Sequence, residues 1–151
     1  MLLFCALACG RAYGAYSLRA ISQLDGFISL LLHIRECISV KMATQSTLTR
    51  GFENESLEEC GFLPAVREGA RLHEAYTGAK ICISRDAARA LDCFFSELGR
   101  GYLADEIRRV EGVISECERI VERERGESAR EVKLVYTLLV AISLGALIFL
   151  I

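Results

Sequence analysis

The sequence predicts an all-α protein, an antiparallel helical bundle whose long C-terminal helix continues into a transmembrane span. Three observations predict it. Apolar residues recur three and four positions apart over long stretches, the spacing of one buried helix face. The period-two alternation of a half-buried strand is nearly absent. Charge is also unevenly placed: all 18 basic and 20 acidic residues lie between positions 11 and 133, leaving both ends apolar. That placement reconciles a hydrophobic content of 52% with a charged content of 25%.

A chain of 151 residues is long enough for one domain with a real core. It divides into an N-terminal apolar membrane segment at 1–16, a cytosolic helical domain at 17–133 and a transmembrane helix at 134–151. The net charge of -2 comes from balanced signs and provides no basic field, so nucleic acid is not expected as a partner. The seven cysteines, at 5, 9, 37, 60, 82, 93 and 117, are odd in number, irregularly spaced and without a CxxC pair. They fit neither a disulfide framework nor a zinc site and read as reduced helix-face residues in a cytosolic setting. For Cys5 and Cys9, lipid attachment is the alternative.

The first element, "MLLFCALACGRAYGAY", has only ten residues before Arg11. Ten residues make about 15 Å of helix, too short for a bilayer, and no basic residue precedes them as in a signal peptide. Continued through Tyr16, with Arg11 snorkelling or paired, the segment becomes long enough; the alternative is an incomplete span whose true start lies upstream. Ala6, Gly10 and Gly14 then form small-xxx-small steps on which another helix can dock. From Tyr16 to about Met42, Leu24, Phe27, Leu31, Ile34 and Ile38 mark a long amphipathic helix. "ATQSTLTRGFENES" reads as a connection, and its Asn54-Glu55-Ser56 sequon as coincidental in a cytosolic loop. Pro64 fits the first turn of a helix reaching about Thr77. "TGAKICIS" breaks the pattern. Ser84 then caps a helix with the face Ala88, Leu91, Phe94, Phe95 and Leu98, ended by Gly99 and Gly101.

The last helix carries the clearest pattern. Leu103, Ile107, Val110, Ile114, Cys117 and Val121 alternate four and three apart, a heptad seam that packs against the first helix or serves a partner helix. Asp105 with Arg109 and Glu116 with Arg119 are spaced for ion pairs on the outer face. The helix runs on into "LVYTLLVAISLGALIFLI", residues 134–151, which hold no charge and would span about 27 Å. Tyr136 sits at the interfacial position, and Ala141 with Gly145 forms another small-xxx-small step. Arg11, Arg19, Arg130 and Lys133 flank the apolar ends on the domain side, which places the domain in the cytosol and both chain ends at the far face.

No catalytic, cofactor-binding or metal-ligating residues are expected, and no small-molecule substrate. "GRG" lacks the lysine and preceding strand of a phosphate loop. His33 and His73, the two histidines, each stand alone on a helix. An enzymatic reading would need a pocket with polar groups converging around Arg71, His73 and Glu74.

Three stretches resemble a known family: "SLRAISQLDGFISLLLHIRECIS" as a long first helix after an N-terminal span, "DCFFSELGRG" as a Phe-rich helix ending in Leu98-Gly99, and "EVKLVYTLLVAISLGALIFLI" as the closing span. The order of elements is similar to the stage III sporulation protein AB family, a membrane protein of endospore-forming bacteria. Leu138-Leu139 stands where that family usually has Leu-Gly, and "YLADEIRR" lacks its usual glutamine. The resemblance implies a cytosolic six-helix domain like that of the type II secretion inner-membrane platform protein. It implies location in the outer forespore membrane, with the domain facing the mother-cell cytosol. It further implies a non-enzymatic assembly role in a secretion-like channel joining mother cell and forespore, beside other channel subunits and a secretion-type ATPase. The alternative expectation is a tail-anchored adaptor or regulator that binds a partner helix, unrelated to sporulation.

Overall fold

The computed structural model describes the backbone of residues 2–41 and 48–150, and side-chain surroundings for 15–40, 48–127, 130, 134, 137 and 138. Among the described residues there are six helices and no strand: α1 (Leu2–Lys41), α2 (Glu55–Glu59), α3 (Phe62–Arg67), α4 (Leu72–Gly78), α5 (Arg85–Glu97) and α6 (Leu103–Leu150). The all-α helical bundle expected from the apolar spacing is what forms.

The apolar positions of α1 explain its length within the bundle. Leu24, Phe27, Leu31 and Ile34 are fully buried and Ile38 nearly so, one continuous stripe against the other helices. The N-terminal segment, set apart from this helix in the sequence reading, continues into it without a break at Tyr16. α6 runs antiparallel to α1. Asp25 meets Arg125 at 2.5 Å and Arg35 meets Glu111 at 4.0 Å, so residue numbers rise on one helix as they fall on the other. α5 is likewise antiparallel to α6, with Asp86 on Arg123 and Glu97 on Arg109.

The short helices α2 to α4 close the core. Phe27 lies at its centre, edge-on to Phe62 at 5.3 Å and to Tyr76 at 5.7 Å, with Phe95 at 6.2 Å. Edge-to-face geometry of this kind adds to the burial that dominates such a cluster. Asn54, read as a coincidental sequon, is the N-cap of α2: its Oδ1 accepts the Leu57 N–H at 3.2 Å. The single helix expected from Pro64 to Thr77 is instead α3 and α4, because Gly69 takes a left-handed φ of 101° between them.

Residues 79–84 connect α4 to α5 without helix. Gln23 of α1, only 4% exposed, holds them. Its Oε1 accepts the Cys82 N–H at 2.7 Å and its Nε2 donates weakly to the Lys80 carbonyl at 3.4 Å, the two bonds a neighbouring strand would provide. Lys80 N–H in turn donates to the Cys60 carbonyl at 2.8 Å. Ser84 stands before α5 as expected, but its hydroxyl does not cap the helix and is buried without a partner among the described residues. On α5, Leu91, Phe94, Phe95 and Leu98 are buried as the pattern requires, while Ala87 takes the fully buried place expected of Ala88.

The expected spans at 1–16 and 134–151 lie largely outside the residues whose side chains are described. Among the described residues no helix is long and apolar enough to cross a membrane.

Candidate functional site

Both ends of the α1–α6 pair leave large apolar side chains exposed, Val40 and Leu103 at one and Tyr16, Leu18, Leu134 and Leu138 at the other. Along the bundle, the heptad seam is spent internally: Val110, Ile114, Cys117 and Val121 are buried with Ile120, facing α1 and the core, while Leu103 at the far end is 40% exposed. The outer-face ion pairs differ from those expected. Arg109 reaches Glu106 at 3.5 Å and Glu97 at 3.6 Å rather than Asp105, and among the described residues Glu116 and Arg119 do not pair.

Toward the apolar ends the packing stops. Ala20 and Ile21 on α1 and Val121 on α6 are the last buried side chains; none is buried among those described at 15–19 or 122–138. Counting from the Asp25–Arg125 contact, Ala20 lies level with Arg130, so the stretch from Arg130 to Leu134 is a short two-helix stalk about 6 Å long beyond the packed bundle. Large apolar side chains gather at its tip: Tyr16 is 56% exposed, Leu18 69%, Leu134 62% and Leu138 58%. On α6 charge stops at the same level, since nothing beyond Lys133 is charged, whereas on α1 Arg11 lies beyond Tyr16. Large apolar groups exposed over successive turns of both helices mark a surface that something covers.

The groups that an enzymatic reading would need do not converge. Glu74 accepts the backbone N–H of Arg71 at 3.2 Å, a helix-capping bond, and His73 Nε2 lies 3.1 Å from Asp92 Oδ1 on α5. His33 Nε2 lies 3.6 Å from the Cys37 sulfur one turn along α1, and its ring packs on Phe52 at 5.4 Å. No cluster of three potential metal ligands occurs among the described residues. Burial pushes the Cys60 thiol up, and it pushes Cys117 up to about 12, with Glu116 and Glu118 adding to the shift. Both therefore remain protonated, inert core thiols at neutral pH.

Sequence reading missed one buried charge. Glu106, 5% exposed, turns back at the start of α6 to accept the Gly101 N–H at 2.9 Å through Oε1, while Oε2 is buried with no partner among the described residues. Arg109, 3.5 Å from Oε1, supplies the compensating charge. A spacing of five residues across a glycine turn gives no periodic signal.

A broad groove of about 440 Å³ runs between α5 and α6, floored by Ala90, Phe94, Val113 and Ile120. Its rims alternate in sign, Asp86 and Glu97 being already paired with Arg123 and Arg109. No family model, curated protein or solved structure matches the chain.

Proposed function

We propose that this chain is a non-enzymatic, membrane-anchored assembly subunit, the platform role implied by its resemblance to the stage III sporulation protein AB family. One observation carries the anchoring: α1 and α6 are antiparallel, so both apolar ends leave the bundle at the same end. The exposed ring of Tyr16, Leu18, Leu134 and Leu138 at that end supports it. In this reading 1–16 and 134–151 enter one membrane as a helical hairpin, and the bundle stands in the cytosol on its stalk. The host process comes from the resemblance alone: a secretion-like channel in the outer forespore membrane, assembled with other channel subunits and a secretion-type ATPase. An adaptor that offers the α6 seam to a partner helix is less well supported, because that seam is buried against the chain's own core.

Deleting the gene in a sporulating host is expected to arrest development after engulfment, with rescue by the full chain and none by a chain lacking 134–151. Normal spore yield in the deletion strain would remove the sporulation role.

A further inference from the structure

The stalk carries charge at a defined height. Counting from the Asp25–Arg125 contact at 1.5 Å per residue, Arg19 lies about 9 Å and Arg130 about 8 Å toward the apolar ends. Tyr16 and Leu134 share the next level, about 14 Å along. The two arginines are therefore level with each other, one on each helix, just before the exposed apolar ring. Both are exposed, and neither makes an ion pair among the described residues, whereas Arg123 and Arg125 one step nearer the bundle are paired with Asp86 and Asp25. By position along α6, Glu131 shares their height, Lys133 lies a turn beyond and Glu127 a turn before, so three cations stand against two carboxylates.

We infer that Arg19 and Arg130 form a collar that binds the phosphates of anionic phospholipids at the membrane surface. The inference rests on the anchoring reading above and adds lipid selectivity to it. Charge complementarity selects this occupant: exposed guanidinium groups without an ion-pair partner among the described residues, set within about 6 Å along the axis of Leu18, Tyr16 and Leu134, meet headgroup phosphates when those apolar side chains meet the acyl boundary. An acidic protein partner would satisfy the arginines but not the leucines below them. A basic side chain at an anionic bilayer surface strengthens association by roughly fivefold. Glu127 and Glu131 offset part of that for the pair, leaving a preference of several-fold.

The test uses the full chain reconstituted in neutral phosphatidylcholine bilayers and in bilayers containing about one third phosphatidylglycerol. Spin-labelled phosphatidylglycerol and phosphatidylcholine serve as probes of the lipid held at the protein. The expected result is incorporation into both bilayers and a several-fold preference for the phosphatidylglycerol probe at low salt. That preference shrinks at high salt and approaches unity in R19Q/R130Q, with each single variant between and helix content unchanged by circular dichroism. Incorporation without lipid preference, or a preference undiminished in the double variant, overturns the collar alone. Failure to incorporate into either bilayer overturns the anchoring and the collar together.

Discussion

At Gly26, α1 and α2 approach so closely that a side chain has no room. A Cβ there would lie 2.7 Å from Asn54 Oδ1 and 3.1 Å from Leu57 Cγ. Two effects of Gly26→Ala oppose each other. Alanine favours the helix by about 1 kcal/mol, but overpacking costs about 1–3 kcal/mol. The nearest atom is the oxygen that caps α2, so relieving the clash also breaks the Asn54–Leu57 bond, a further loss of about 1 kcal/mol. Packing wins, and Gly26→Ala is expected to lower unfolding stability by about 1–3 kcal/mol in a urea titration. A neutral or stabilised variant would show that α2 yields without cost. Nothing in the sequence around Gly26 marks it as a crossing point. A lone glycine in a helix pattern reads only as a mild weakness.

Between α1 and α6 the seam was legible, because a repeat of four and three needs only the helix geometry of the chain itself. What it faces was not legible, since an internal helix and a foreign one require the same apolar stripe. Cys117, fully buried in that seam, provides an element-level test. Its thiol, ordinarily at 9.0, is pushed up to about 12 chiefly by burial. The folded state therefore holds this proton more tightly than the unfolded state. The stabilisation is complete below pH 9.0 and is lost as pH rises toward about 12, by at most about 1.4 kcal/mol per pH unit. The stability gap between the native chain and Cys117→Ala should hence narrow between about pH 9 and about pH 11. Parallel pH curves would mean that the thiol is not buried at the α1–α6 seam. The break between α3 and α4 shows the opposite case: the helical pattern continues through it, and only the left-handed turn at Gly69 separates the two.

For the molecule as a whole, the antiparallel course of α1 and α6 commits both ends to one side. On the proposed anchoring, reporters fused before Met1 and after Ile151 are expected to report the same compartment, the non-cytosolic one; activity of the second confined to the cytosol would contradict that orientation. The surface ion pairs contribute little to holding this arrangement. Asp25, Arg125, Asp86 and Arg123 are all more than a third exposed, and such pairs are worth about 0–1 kcal/mol each. Burial around Phe27 supplies the main stabilisation.

The sequence by itself determined the helical class, the apolar ends, the seam of α6 and most of the face of α5, because each depends on spacing along one helix. Only the tertiary structure decided that Gln23 would hold residues 79–84, that Glu106 would be buried beside Gly101, and that Arg19 and Arg130 would stand level on a two-helix stalk. Each of these joins residues separated by a turn or by most of the chain. Periodicity carries no information about such distances, and the packing of helices against one another sets them.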